Sequence, residues 1–262
     1  LMGVFVKYAS DELPSSEILF SRFLIGFIFL LPFMIRDGDF KVELSQWPFL
    51  VMRNLAGIAS MLLTFYAIKY LPISIAVLLM NTSALFVPLL LFVLRTRTPL
   101  KVLACSFLGF AGVSIIMLTD SSKHFELQHI GYALGAAFLA AMAFISLQEL
   151  NKHNSPKNIV FYFHLLGSLL LPLFFVTQWT IPSAQGFVLL LLVGGFGLVF
   201  QLLLTRAFKY APANVITPFA FTGVIFSSIC DWLFWHNVPT LNFWIGSLVI
   251  IVSVSLLAKI RR

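Results

Sequence analysis

Charge is what this sequence has least of. Asp, Glu, Lys and Arg together make up 10% of the 262 residues, against 60% hydrophobic ones, and the mean hydropathy is +0.99. A water-soluble core cannot use that much apolar surface, so the chain is a membrane protein. Long polar stretches are missing too, which leaves no room for a separate soluble domain. Cysteine is scarce: Cys105 and Cys230 both fall in apolar runs. They have neither metal-ligand spacing nor an aqueous setting for a disulfide framework, and are expected as buried thiols. Acidic residues are fewer than basic ones, and the net charge is +7. The basic residues sit at the ends of apolar runs rather than in an aromatic-interleaved patch, so membrane topology accounts for them and nucleic acid does not.

What the sequence does have is a repeat. Ala67-Ile-Lys-Tyr70-Leu-Pro72 returns as Ala207-Phe-Lys-Tyr210-Ala-Pro212, a shift of 140 residues that also superposes Pro32 on Pro172, Gly57 on Gly197 and Thr82 on Thr222. The chain therefore divides into two halves built alike, 1–126 and 127–262. Apolar runs lie at about 1–9, 18–35, 48–68, 72–94, 100–119, 128–150, 157–179, 184–205, 212–235 and 241–258, mostly near the ~20 residues that a spanning helix needs. The repeat offset places roughly a dozen further residues of the first helix before Leu1. The predicted fold is an all-α integral membrane protein of ten transmembrane helices, the first one truncated. Five helices per half is an odd number, so the halves enter the membrane in opposite senses, as two inverted repeats.

The loops supply an orientation. Arg36, Lys41, Lys101, Lys152, Lys157, Arg206, Lys209 and Lys259 are among the basic residues on one side, while the other has only Lys7, Lys69 and Lys123. The positive-inside rule makes the first side, and both termini, cytoplasmic. Trp47, Trp179, Trp232, Trp235 and Trp244 stand near predicted helix ends, where amphipathic rings favour the headgroup layer. Pro72 and Pro212 take first-turn positions that allow tight connections. Asp37-Gly38 between two apolar runs reads as a turn, and Gly131-x-x-x-Gly135, continued by Ala136, Ala140 and Ala143, as a small-residue packing face.

Polar residues inside the runs are the functional candidates. Arg22 and Arg53 are costly in an apolar setting and either face a polar interior or snorkel to the interface. Asp231 lies at a depth similar to Arg22, which suggests an ion pair. Glu149, His164 and Gln201 gather near the cytoplasmic end, where a carboxylate or imidazole could carry a proton or simply be solvated. His124-x-Glu126-x-x-His129 lacks the helical two-histidine spacing of a zinc site and reads as a polar outer loop. Asn81, Thr82 and Thr222 fall close to the midpoints of their helices, and the threonines are repeat mates, so the substrate site is expected there with Tyr66 and Gln201 as neighbours. Pro88 and Pro218 should free carbonyls or permit a bend nearby. The competing view is that the threonines bond back to their own helices and Asn81 joins two helices.

The segment Gln201 to Pro218, with Val238-Pro-Thr and Trp244-Ile-Gly246, resembles the second EamA repeat of the drug/metabolite transporter superfamily. Arg53-Asn-Leu-Ala-Gly57, Phe65 to Pro72 and Leu108-Gly-Phe-Ala-Gly-Val113 are similar to the first. The resemblance implies ten helices in two inverted five-helix repeats around a central cavity for a small polar or amphipathic metabolite, open alternately to each side. It also implies an inner (plasma) membrane location in a bacterium. Members carry S-adenosylmethionine, amino-acid-like solutes or drugs. Such proteins often have an acidic residue just after the fourth and ninth helices, where this chain has Thr96 and Asn237.

The expected function is secondary transport by alternating access, without covalent chemistry or a cofactor. The partners are a small-molecule substrate and the lipid bilayer, not nucleic acid, and the oligomeric state is open. The rivals are a membrane-embedded enzyme, for which no convergent nucleophile, metal cluster or acid/base pair stands out, and a structural membrane subunit. Cysteines placed at 123 and 152 test the orientation. An impermeant thiol reagent applied to intact cells should label position 123 and spare 152, and the reverse pattern would invert the topology.

Overall fold

The computed structural model describes residues 2–71, 73–94, 99–117, 126–175, 180–236, 238 and 240–260, with backbone alone at Asp231 and a few other helical positions. Pro72, Thr96, Lys123, His124, Trp179 and Asn237, and the side chain of Asp231 with its expected pairing to Arg22, lie outside the described residues.

The described chain is helical throughout: α1 (Met2–Ala9), α2 (Ser15–Asp37), α3 (Trp47–Tyr70), α4 (Ile73–Asn81), α5 (Ser83–Val93), α6 (Leu100–Met117), α7 (Leu127–Leu150), α8 (Pro156–Phe175), α9 (Ala184–Tyr210), α10 (Ala213–Ile216), a 3-10 turn at Thr217–Phe221, α11 (Thr222–Trp235) and α12 (Leu241–Ile260). Among the described residues, six spans are long and apolar enough to cross a bilayer: Ser15–Asp37, Leu44–Tyr70, Ile75–Val93, Leu127–Leu150, Ala184–Tyr210 and Ala213–Trp235. Helices are the economical answer to this composition, because each satisfies its own backbone where no water can. At Asp37-Gly38 the expected turn is a helix stop: Gly38 adopts φ 65° and its N–H bonds the Met34 carbonyl, a left-handed cap that suits glycine. Pro212 stands one residue outside its expected place, at the N-cap of α10, and Gln148 Oε1 accepts the Ala213 N–H at 2.6 Å.

Polarity is distributed inside out. Large apolar side chains such as Phe92, Leu173, Leu203 and Leu248 face outward, while Arg22, Arg53, Asn54, His164 and Gln201 are buried. An apolar exterior suits lipid, and the buried polar groups mark the interior of the bundle. Trp47, Trp232 and Trp244 are exposed near helix ends, in keeping with interfacial anchors. Cys105 and Cys230 are free thiols, Cys105 buried and Cys230 half-buried.

The most extensive helix contacts join α3 to α7, α6 to α12, α2 to α8, α2 to α9 and α1 to α9, and α4 also packs on α11. Under the 140-residue shift, α2 and α8, the broken spans α4–α5 and α10–α11, and α6 and α12 are counterparts, so each packs against its own mate. The α3–α7 contact likewise corresponds to α9–α1. The small-residue face of α7 holds at Ala136 and Ala143, which are buried with Ala133, Ala137 and Ala141, and at Gly135, where a Cβ would stand 3.3 Å from Leu63 of α3, whereas Gly131 faces open space. Ser60 Oγ donates to the Ala136 carbonyl at 2.7 Å across this seam. At one end of the bundle Lys157 pairs with Asp37 at 2.6 Å and Tyr162 OH donates to the Phe40 carbonyl at 2.7 Å. At the other, Lys7 Nζ donates to the Leu71 carbonyl at 3.1 Å, and Glu17 Oε2 accepts from Thr180 N and Oγ1 at 3.1 and 3.0 Å.

α6 and α12 approach so closely that a Cβ on Gly112 would stand 2.8 Å from the Gly246 carbonyl oxygen. A backbone atom cannot move aside as a side chain can. Gly112→Val should therefore lower stability by about 1–3 kcal/mol, as overpacking does, seen as a lower midpoint of thermal unfolding in detergent.

Candidate functional site

Two polar centres lie within the apolar bundle. The first forms where two spans break. Thr82 separates α4 from α5, and its repeat mate Thr222 opens α11 after the 3-10 turn. The Thr82 N–H and Oγ1 both bond the Leu79 carbonyl, at 3.1 and 2.6 Å, and Thr222 Oγ1 bonds the Phe219 carbonyl at 2.7 Å. Both hydroxyls thus reach three residues back, a side-chain competition that loosens the helical ladder. The breaks do not depend equally on proline: Pro218 lies in the 3-10 turn, but Pro88 is inside α5, past the junction. Asn81 Nδ2 donates to the Ala220 carbonyl at 2.9 Å, bridging from one half of the chain to the other. Asn81, Thr82 and Thr222 are therefore brought together, each bonded to backbone. Tyr66 is half-buried elsewhere, its ring 6.0 Å from that of Tyr132.

The second centre gathers Arg22 of α2, Arg53 of α3, His164 of α8 and Gln201 of α9. Arg22 is fully buried and Arg53 is 3% exposed, so neither snorkels. Arg22 packs its Nε 2.5 Å from where a Cβ on Gly197 would be, and Arg53 Nη1 lies against Gly57. Gly57 and Gly197 are repeat mates, so equivalent glycines, one in each half, make room for the two guanidiniums of the first half. Arg22 Nη1 touches Met61 Sδ, and the Arg53 guanidinium sits 4.1 Å from the centre of the Phe163 ring, a cation–π contact that offsets part of its desolvation. Arg22 and Arg53 are close enough to repel each other electrostatically.

His164 Nδ1 bonds the Val160 carbonyl at 2.9 Å. A carbonyl only accepts, so Nδ1 carries the proton and Nε2 is a bare acceptor, lying against Gly26. On α9, Gly194, Gly197, Gln201, Thr205 and Phe208 recur every three or four residues and are buried, which puts Gln201 one turn below Gly197. Arg22 Nε and Nη2, Arg53 Nε, both amide atoms of Asn54 and of Gln201, His164 Nε2 and Thr205 Oγ1 are buried without a hydrogen-bond partner. Among the described residues no carboxylate pairs with either arginine. No cluster of potential metal ligands occurs among them either.

Glu149, expected beside His164 and Gln201, instead pairs with Lys152 at 2.5 Å near the end of α7. Near this end, Gln148, Asn151, Lys152, Phe208, Lys209, Tyr210, Ala211 and Pro212 line a cavity of about 300 Å³. Asn151 Nδ2 spans from there to the Thr205 carbonyl at 3.1 Å, one turn from Gln201. Asn54 escaped the reading of the sequence although it adjoins Arg53. An asparagine next to an intramembrane arginine was the available signal, but which way it faces depends on neighbouring helices.

Both halves of the chain match one family profile, that of the EamA-like transporter family, over residues 1–118 and 128–259. The chain belongs to this family. Its members are transporters, not enzymes. The chain is 30% identical over 266 residues to a pseudopaline exporter of Pseudomonas aeruginosa, an alignment covering 100% of this chain and 92% of the relative. It is 28% identical to a riboflavin transporter of Brucella anthropi, over 91% of this chain and 86% of that one. An S-adenosylmethionine uptake transporter of Rickettsia prowazekii is 26% identical, with 95% and 84% covered. A solved crystal structure superposes with a TM-score of 0.78 over 99% of this chain and 96% of the other at 14% identity, which establishes the shared fold.

If Asn81 serves as a clasp between the halves, Asn81→Leu should cost about 0.5–1.5 kcal/mol of stability, the range of interhelical hydrogen bonds in membranes. Unfolding and transport should be measured together. A weaker apparent substrate affinity with unchanged stability would place Asn81 in the substrate site instead.

Proposed function

We propose that this member of the family is a secondary transporter of a small organic metabolite that works by alternating access between two inverted five-helix repeats, 1–126 and 127–262. The observation that carries the reading is the pairing of each broken or polar span with its own repeat mate, α2 with α8 and the span α4–α5 with the span α10–α11. Counterparts that meet face to face leave a shared polar interface between the halves. That is where transporters built from repeats hold their solute, and the interrupted helices are the usual place for carbonyls to become available. The relatives are named for pseudopaline, riboflavin and S-adenosylmethionine, which supports an organic solute with polar groups. Both termini are assigned to the cytoplasm and the location to the bacterial inner membrane on the basic-residue asymmetry and the family.

Purified protein in proteoliposomes tests this. Labelled riboflavin, S-adenosylmethionine and amino acids, presented with and without a proton gradient, should include at least one solute whose uptake is saturable and is stimulated by the same unlabelled solute inside. Absence of carrier-dependent flux for every solute, from protein that remains folded, would favour a structural membrane subunit.

A further inference from the structure

Two guanidiniums buried in a membrane protein, with no carboxylate paired to either among the described residues, call for a partner, since an unpaired buried ion costs several kcal/mol. The atoms left bare say what the partner is. Nε and Nη2 of Arg22 are both unpartnered, and these form the side edge of the guanidinium, the two parallel donors that fit the two oxygens of a carboxylate. Nη1, on the far edge, is the atom occupied by Met61. Arg53 Nε is also bare, so a second cation is at hand on the neighbouring helix. Glu17 is the nearest buried acid along α2; Thr180 holds its Oε2 and its Oε1 is bare, but it makes no ion pair with Arg22.

Bare groups of the opposite kind lie on His164, beside both arginines, on Gln201, one turn from the Gly197 that meets Arg22, and on Asn54, which follows Arg53 in α3. His164 Nε2 accepts only, and Gln201 and Asn54 each offer an unpartnered carbonyl oxygen beside an unpartnered amide nitrogen. Such a set suits N–H or O–H groups flanking a carboxylate.

We infer that Arg22 and Arg53 form the anion subsite of the transport pathway, binding a carboxylate of the solute, with His164, Gln201 and Asn54 receiving its neighbouring amino or hydroxyl groups. The solute is thus an amino or hydroxy acid. The inner cavity bounded by Gln148 and Asn151 reaches α9 one turn beyond Thr205, and Thr205 and Gln201 then step along one face of that helix to Gly197 and Arg22. Binding neutralises charge that the empty carrier leaves exposed to low dielectric, so it stabilises the folded protein as well as selecting the solute. This rests on the transporter reading, and its test is built to fail separately.

The probes are L-aspartate, L-malate, the uncharged malamide and glycerol 3-phosphate, added at constant ionic strength to the full chain in detergent while thermal unfolding is followed. At least one of the two carboxylates should raise the midpoint by about 3 °C near saturation, and malamide should not. Arg22→Lys keeps the charge but loses the paired donors, and Arg22→Met loses both, so each should abolish the response. Arg22→Met without ligand should unfold no earlier than the parent, because an unpaired buried charge has been removed. A carboxylate response that survives in either variant, one matched by malamide, or stabilisation by glycerol 3-phosphate alone would overturn the assignment. Silence towards both carboxylates while proteoliposomes still carry riboflavin, which has no carboxylate, would overturn the subsite and leave the transporter reading standing.

Discussion

A bilayer offers no hydrogen bonds, and every feature of this molecule answers to that. Backbone groups must be satisfied within the chain, which makes helices obligatory and puts irregular backbone only where protein covers it. At the two interruptions, Thr82 and the Thr217–Phe221 turn, side chains bond carbonyls that the helical ladder leaves free. Threonine hydroxyls bond the Leu79 and Phe219 carbonyls, and Asn81 bonds that of Ala220. What water would have done for broken helices, side chains from both halves do instead.

The same constraint gives the arginine centre its meaning. In a soluble protein two unpaired arginines would turn towards solvent. Here outward means lipid, and Gly57 and Gly197 open space inside the bundle for the guanidiniums. Phe163 covers one of them, yet the remaining donors have nothing fixed to bond. The carboxylate subsite proposed above would give them a partner that comes and goes with the solute, whereas a purely structural role would be served as well by apolar side chains of the same volume. The two polar centres then divide the labour: the junction of broken helices joins the halves mechanically, and the arginine centre supplies charge.

Helix pairing connects the two. α2 meets α8, bringing Arg22 near His164, while α4 meets the 3-10 turn that precedes α11, bringing Asn81 to Ala220. Both contacts lie between one half and the other. A relative movement of the halves would alter both at once, which is the kind of element through which solute binding can bias a carrier between its two openings.

Much of this was open to reading in the residues alone. Scarcity of charge determined that the chain lives in a membrane, the lengths of the apolar runs located most spans, and the 140-residue repeat paired Gly57 with Gly197 and Thr82 with Thr222. These properties are local or periodic, and a linear sequence records them directly. Tertiary structure alone decided that Arg22 and Arg53 face inward rather than snorkel, that His164 and Gln201 belong with them while Glu149 turns to Lys152, and that alanines rather than Gly131 line the α7 seam. The physical reason is rotation: a polar residue one helical turn from a membrane surface can point to lipid, headgroup or interior. Only the packing of α2, α3, α8 and α9 against one another chooses among those directions.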